Sequence, residues 1–154
     1  MRPDADTVGR AAIFESLGSA DRDALALCFR GRAYAPGEVV FLEGDPGTSL
    51  FLVGQGTFLA VSRAGGVPRE IGRFGPGQVI DPTAIVLRGR RPATVTAVGP
   101  AVAHELDAEA IALLRAGAPS AARAVMTAGI TGLIKQLRDV EMRVERELDR
   151  TGNP

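Results

Sequence analysis

The chain has 154 residues, of which 45% are hydrophobic and 23% charged, so it has enough apolar residues for a buried core and too many for wholesale disorder. Eighteen basic and eighteen acidic residues cancel, which argues against a strong nonspecific binder of nucleic acid or anionic membranes. One histidine, His104, excludes a multi-histidine metal site, and one cysteine, Cys28, excludes an internal disulfide. We expect a soluble, cytoplasmic, non-enzymatic protein with neither a signal peptide nor a membrane span.

The first thirty residues have the pattern of two short helices. Their apolar positions are Ile13, Phe14 and Leu17 in the first, and Leu25, Leu27 and Phe29 in the second. Gly18 and Ser19 interrupt the pattern between them. We expect Ser19 or Asp21 to cap the second helix.

The pattern changes at Gly31, and from there to about Leu106 short apolar runs alternate with turn signals. The turns are rich in glycine and proline, as in GDPG, GQG, AGG and GPG, and glycine supplies the positive φ angles that tight corners need. The runs between them are too short for a helix of three turns. Many short strands joined by such corners predict an all-β sandwich or barrel.

Helical patterns return after Asp107, which is the expected cap of a helix ending near Gly117. Pro119 then suits the first turn of a long last helix. The second half of that helix carries apolar residues at alternating spacings of three and four, namely Ile130, Leu133, Leu137, Val140 and Val144. This seam either packs back on the chain's own barrel or pairs with a second copy, and its length favours pairing. Two glycines inside the helix, Gly129 and Gly132, indicate either a bend or a close contact with another helix.

The order of these elements resembles the cyclic-nucleotide-binding domain, the sensor module of catabolite-activator-type regulators, of kinase regulatory subunits and of some channels. The resemblance rests on IFESLG, YAPGEVVFLEGDPGTSLFLVGQGTFLAVSR, IGRFGPGQVI and RRPATVTAV. It implies a mainly β fold with flanking helices, a jelly-roll barrel of about eight strands. It also implies three segments: a barrel domain with N-terminal helices over 1–117, a lid or dimerisation helix over 118–150 and a disordered tail over 151–154.

The family's phosphate-binding cassette has the pattern F-G-E-[LI]-A-L, then P-R-[ST]-A. In the family, a helix N-terminus and an arginine hold the cyclic phosphate, a glutamate accepts from the ribose hydroxyl, and the serine or threonine donates to the phosphate. Here Asp81 replaces the glycine, Pro82 the glutamate and Pro92 the hydroxyl residue, while Arg91 is retained. The resemblance therefore places any ligand against Asp81, Pro82, Thr83, Ala84, Ile85, Arg91, Pro92 and Ala93.

The replacements suggest that the chain fills its own anion site. Pro82 and Pro92 lack N–H donors. We expect the Asp81 carboxylate to cap the N–H of Thr83 or Ala84 and to pair with Arg91. A phosphate would then meet a like charge, at a cost of about 4 kcal/mol for unit charges about 4 Å apart in a dielectric near 20. The milder alternative is a helix start on a surface loop with Arg91 solvated.

Two functions remain open from the sequence. One is a regulatory module that no longer binds cyclic AMP or cyclic GMP and acts as a homodimer, with a separate effector protein as its partner. The other is a working sensor of a cyclic mononucleotide, with no other cofactor, in which the last helix closes as a lid and Thr127, Thr131 or Lys135 touches the base. A transcription factor is not expected, because the sequence ends at Pro154 without a helix-turn-helix, and a cupin-like enzyme lacks the histidines it would need.

Overall fold

A computed structural model of the chain describes residues 1–152, so Asn153 and Pro154 of the expected disordered tail lie outside the described residues. The helices are α1 (Ala5–Gly9), α2 (Ser19–Cys28), α3 (Ala84–Leu87), α4 (Ala108–Gly117) and α5 (Pro119–Arg150). The strands are β1 (Arg30–Tyr34), β2 (Val39–Phe41), β3 (Leu50–Gln55), β4 (Phe58–Ser62), β5 (Arg69–Phe74), β6 (Val79–Ile80), β7 (Thr94–Ala97) and β8 (Ala101–Leu106).

The strands form two four-stranded antiparallel sheets, in the orders β1-β8-β3-β6 and β2-β7-β4-β5. Apart from the β4–β5 hairpin, neighbouring strands in each sheet are not consecutive in the chain, as β1 and β8 show, which is the crossed connectivity of a jelly roll. Among residues 1–152 the strand count is eight, helices flank the sheets at both chain ends, and the predicted fold class is confirmed.

Two apolar clusters hold the fold together. The first lies between the sheets and is built from inward-facing strand residues, with Phe58, Val53 and Val95 fully buried. The second lies outside the β1-β8-β3-β6 sheet, where Leu50, Leu52 and Leu106 meet the helices at both chain ends. Strand β4 shows the alternation that this arrangement requires, because Phe58, Ala60 and Ser62 are buried and the two residues between them are half-buried.

The N-terminal helices differ from the prediction in three details. Residues Ala12–Phe14 form a single 3-10 turn in place of a longer amphipathic helix. Gly18, with extended backbone, is the N-cap of α2, so neither Ser19 nor Asp21 occupies that position. Leu27 is exposed, since the face of α2 that carries Leu25 and Ala26 is the one that meets the core.

The C-terminal helices begin where the sequence predicts. The Asp107 side chain accepts from the N–H of Ala110 at the start of α4, and Pro119 occupies the first turn of α5. Helix α5 is one continuous element. Gly129 faces α3 (a Cβ there would lie 2.6 Å from a Val86 methyl), and Gly132 faces the turn just before α3. The glycines therefore allow a close helix contact. Within 1–152, no helix is both long and apolar enough to cross a membrane.

Candidate functional site

The turn before α3 aims the Asp81 carboxylate into the protein. Asp81 has φ +50°, a left-handed conformation that aspartate tolerates better than most residues, and Pro82 fixes the next φ angle. The Asp81 carboxylate does not cap a backbone N–H as the sequence suggested. Helix α3 begins at Ala84 with Thr83 as its N-cap, and the Ala84 N–H donates to the Asp81 main-chain carbonyl at 3.3 Å. The left-handed turn leaves both carboxylate oxygens free for side-chain donors.

Those two oxygens have separate partners. Oδ1 accepts from the Thr83 hydroxyl at 2.9 Å, and Oδ2 accepts from Nη1 of Arg91, also at 2.9 Å. The side chains of Arg91 and Asp81 are 5% and 7% exposed, so the ion pair is almost fully removed from water. The alternative of a solvated Arg91 on a surface loop is wrong, because tertiary packing encloses the guanidinium.

Ser49 completes the hydrogen bonding of the guanidinium. Nη1 of Arg91 donates to the Ser49 main-chain carbonyl at 2.7 Å, and Nη2 donates to the Ser49 hydroxyl at 2.9 Å. The Ser49 hydroxyl in turn donates to a Glu105 carboxylate oxygen at 2.7 Å. Arg91 is thus held between two carboxylates, directly by Asp81 and through a hydroxyl by Glu105.

The walls around Arg91 are a glycine and two aromatic rings. The guanidinium carbon lies 4.2 Å from the ring centre of Phe41 and 5.6 Å from that of Phe51, which are cation–π distances. Gly47 lies against the same side chain, and a Cβ there would sit 2.6 Å from the guanidinium carbon and would overlap Nε. Nε itself is buried and has no hydrogen-bond partner among the described residues. Only glycine leaves room for Arg91 in this position.

A cavity of about 310 Å³ opens beside this cluster, within the barrel. It is lined by Arg30, Gly31, Arg32, Tyr34, Val40, Phe41, Asp45, Pro46, Phe51, Arg91 and Glu105. Burial raises the pKa of Tyr34, so its hydroxyl stays protonated at neutral pH and remains able to donate. The lining arginines have carboxylate partners: Arg30 pairs with Asp107, and Arg32 pairs with Glu38.

The structure brings together only part of the segment that the family pattern implies. Asp81, Thr83 and Arg91 are in direct contact. Ile85 packs into the helical core and Ala93 into the barrel core, while Pro92 is exposed. Among the described residues that line the cavity, none comes from α5. Thr127 lines a separate groove of about 300 Å³ instead, and Thr131 and Lys135 are exposed.

Sequence reasoning missed Gly47, Ser49, Phe41, Phe51 and Glu105. The GDPG stretch predicts only a turn, and nothing in it indicates which distant side chain its last glycine must admit. Main-chain hydrogen bonds tie the two segments together, since the Arg91 N–H donates to the Asp45 carbonyl and the Gly44 N–H donates to that of Arg91. The proximity of Ser49 to Arg91 follows from this long-range pairing.

The chemistry that this arrangement provides is charge neutralisation. Within residues 1–152, no group of three or more His, Cys, Asp or Glu side chains could hold a metal ion. Arg91 is a fixed cation that is already neutralised, and Asp81 and Glu105 are acceptors that are already bonded. Such a site can bind or exclude an anion.

Known proteins resemble this chain in sequence and in fold. A family model described as "Cyclic nucleotide-binding domain" matches residues 31–117. The "Cyclic AMP receptor protein" of Thermus thermophilus is 31% identical over 104 residues, which are 67% of this chain and 45% of that protein. The chain therefore spans less than half the length of this curated relative.

Two solved structures share the architecture. The N-terminal domain of a transcriptional regulator from Streptomyces coelicolor A3(2) superimposes with a TM-score of 0.75 at 25% identity, covering 85% of this chain and 94% of that one. The catabolite activator protein of Thermus thermophilus gives a TM-score of 0.74 at 26% identity, covering 86% of this chain and 61% of that one. Both similarities extend beyond the barrel into the flanking helices.

Proposed function

Because the chain belongs to the cyclic nucleotide-binding domain family, we propose that it is a non-catalytic regulatory module whose anion site is occupied by its own Asp81. The observation that carries the proposal is the buried pair between Asp81 Oδ2 and Arg91 Nη1 at 2.9 Å. Arg91 stands where the family pattern has its phosphate-binding arginine. Here that arginine already pairs with an anion that is part of the same chain, the Asp81 carboxylate.

The pair opposes a cyclic phosphate in two ways. A phosphate that approached Arg91 beside Asp81 would meet a like charge, at a cost of about 4 kcal/mol or roughly three orders of magnitude in affinity. A phosphate that displaced Asp81 would instead leave that carboxylate buried without its cation, which is costly for a group removed from water. Pro82 also removes the ribose acceptor of the family pattern. We expect affinities for cyclic AMP and cyclic GMP in the millimolar range or weaker.

A second candidate function is a working sensor for a small ligand. The observation in its favour is the cavity of about 310 Å³, which reaches Arg91 and is walled by the aromatic rings of Tyr34, Phe41 and Phe51. A ligand with less negative charge than a cyclic mononucleotide avoids the repulsion from Asp81. Tight binding of any such ligand at this cavity would favour the sensor.

We also propose that the module acts as a homodimer through α5. Ile130, Leu137, Val140 and Val144 of the seam are each about half exposed, and Leu133 is half-buried. An apolar stripe of this kind on a helix that extends past its own domain fits a second copy of the same helix. In this arrangement the output passes to a separate effector protein, and neither nucleic acid nor a membrane is a partner.

The dimer is tested by sedimentation of Leu137→Glu beside Lys135→Glu, which introduces the same residue on the face opposite the seam. We expect the wild type and Lys135→Glu to sediment as dimers and Leu137→Glu as a monomer. Identical masses for all three would remove the proposed interface.

The filled site is tested by restoring the family pattern. The variant Asp81→Gly, Pro82→Glu and Pro92→Ser removes the competing carboxylate and returns the ribose and phosphate partners, and glycine suits the φ of +50° at position 81. Calorimetric titration with cyclic AMP should give at least a hundredfold tighter binding than the wild type. The same triple change with Arg91→Ala added is the control and should bind no better than the wild type. If the restored variant gains no affinity, Asp81 is not what silences the site.

A further inference from the structure

Helix α5 rests directly on the turn that carries Asp81. A Cβ on Gly129 would lie 2.9 Å from the Pro82 carbonyl oxygen, and a Cβ on Gly132 would lie 3.0 Å from Cγ of Pro82. Real Cβ atoms almost never approach as closely as the first distance and rarely approach as closely as the second, so the two glycines let α5 lie this close to the turn. The position of α5 is therefore sensitive to small movements of the segment from Asp81 to Thr83.

Thr83 joins the ion pair to this helix contact. Its hydroxyl donates to Oδ1 of Asp81 at 2.9 Å, while its methyl carbon lies 3.2 Å from where a Cβ on Gly132 would be. Thr83 is 5% exposed, so water cannot easily replace the carboxylate as the partner of the hydroxyl. One buried side chain thus contacts both the anion beside Arg91 and α5.

We propose that Thr83 couples the Asp81–Arg91 pair to α5, so that the chain's own carboxylate keeps α5 docked without a bound ligand. This proposal deepens the proposed function, since it rests on Asp81 standing in the anion's place. It also predicts the direction in which α5 responds when an anion binds at Arg91. An anion that displaced the Asp81 carboxylate from Arg91 would move the group to which the Thr83 hydroxyl donates, and would thereby loosen α5.

The turn has the stiffness that such coupling needs. The ring of Pro82 fixes φ at the centre of the turn. Asp81 is held at both ends, through its carboxylate by Arg91 and Thr83 and through its main-chain carbonyl by the Ala84 N–H. A change in the hydrogen-bond partners of the Asp81 carboxylate therefore alters the position of Thr83. Because Thr83 contacts Gly132, this movement also alters how α5 packs on the turn.

Hydrogen exchange of the full chain tests this coupling with the variant Thr83→Val. Valine keeps the methyl that faces Gly132 and removes only the hydroxyl, which leaves Oδ1 of Asp81 buried with one donor fewer. We expect exchange of the amides in 83–88 and 129–134 to rise roughly tenfold or more, with the barrel strands unchanged. Thr131→Val is the matched control, because it makes the same chemical change at an exposed residue next to Gly132.

Asp81→Asn is the second variant, because it keeps the size of the side chain but leaves one acceptor oxygen for two donors. It should raise exchange in the same two segments. Unchanged exchange in both variants would overturn the coupling, and so would an equal rise in Thr131→Val or, in Thr83→Val, a rise spread evenly over the barrel. These results are independent of the calorimetric test, since the coupling can fail while the site remains closed to cyclic AMP, and cyclic AMP can bind while the coupling holds.

Discussion

Two arginines at the same cavity, Arg32 and Arg91, make the same kinds of contact in opposite surroundings. Each pairs with one carboxylate, Glu38 for Arg32 and Asp81 for Arg91. Each also lies over an aromatic ring, at 4.7 Å from the centre of Tyr34 for Arg32 and 4.2 Å from that of Phe41 for Arg91. The side chain of Arg32 is 60% exposed and that of Arg91 is 5% exposed.

The difference in burial decides what each pair does. Water and salt compete with Glu38 for Arg32, so that pair contributes little to stability and can exchange partners freely. Water does not reach Arg91, so its charge has to be neutralised by a group inside the protein. An incoming phosphate would replace water at Arg32 but would have to displace a carboxylate at Arg91. The buried arginine is the one whose partner decides whether the site is open.

The largest expected effect is from Asp81→Ala, which leaves Arg91 buried without its carboxylate. We expect the free energy of unfolding to fall by about 3–5 kcal/mol, against less than about 1 kcal/mol for Glu38→Ala at the exposed pair. Urea denaturation of both variants beside the wild type measures the difference. Equal losses would show that burial does not separate the two pairs.

A smaller loss is expected from Gly47→Ala, because the added methyl overlaps the Arg91 side chain. Overpacking of this kind costs about 1–3 kcal/mol, and the same substitution at Gly89, whose Cβ would meet nothing within 4 Å, is the control. Thermal unfolding monitored by circular dichroism gives both values. A Gly47→Ala protein as stable as the Gly89→Ala protein would mean that Arg91 has room to move aside.

His104 is a buried basic group that, unlike Arg91, has no carboxylate partner within residues 1–152. It is 4% exposed, a Cβ on Gly31 or Gly54 would overlap its ring, and among the described residues its Nδ1 has no hydrogen-bond partner. Burial, and secondarily the positive N-terminus, lower the pKa of His104 below its ordinary value of 6.5. The folded state therefore resists protonation that the unfolded state accepts, so stability is lost as pH falls below about 6.5.

The slope of that loss is at most about 1.4 kcal/mol per pH unit for one group. Comparing the wild type with His104→Gln at pH 7.5 and 5.5 isolates this contribution, because the other titrating groups cancel. The variant should lose less stability than the wild type over this interval. A greater loss in the variant would mean that the imidazolium is stabilised in the fold.

The smallest effect is expected from Arg32→Ala. Its pair with Glu38 is exposed on the arginine side, so we expect a loss of about 0–1 kcal/mol that shrinks as salt rises. Urea denaturation at low and at high salt measures it. A loss as large as that of Asp81→Ala would show that the cation–π contact with Tyr34 outweighs the ion pair.

The sequence was enough to predict the barrel and the approximate ends of α4 and α5, because turn glycines, Asp107 and Pro119 act locally. It also indicated that Asp81 meets Arg91, once the family pattern placed the two residues in one cassette. It did not predict that Asp81 would take a left-handed conformation and bond to the Thr83 hydroxyl in place of a backbone N–H. That outcome depends on where Arg91 lies, which is a tertiary effect.

The role of Gly47 was likewise not predictable, since a glycine in a turn usually serves the turn. Here its φ is not in the left-handed region, and its importance is the space it leaves for a side chain more than forty residues away. The role of Gly129 and Gly132 was predictable only in part. Their position inside a helix indicated a bend or a close contact, and only the structure distinguishes the two.

The most direct test is an NMR titration of the wild-type chain with cyclic AMP that follows the side-chain Nε–H resonance of Arg91. If Asp81 already neutralises this arginine, any shift of the resonance should remain far from saturation up to about 1 mM nucleotide, which is roughly three orders of magnitude above a micromolar dissociation constant. A saturable shift with a midpoint in the micromolar range would contradict the account, because it would show that the phosphate reaches Arg91 and displaces the Asp81 carboxylate.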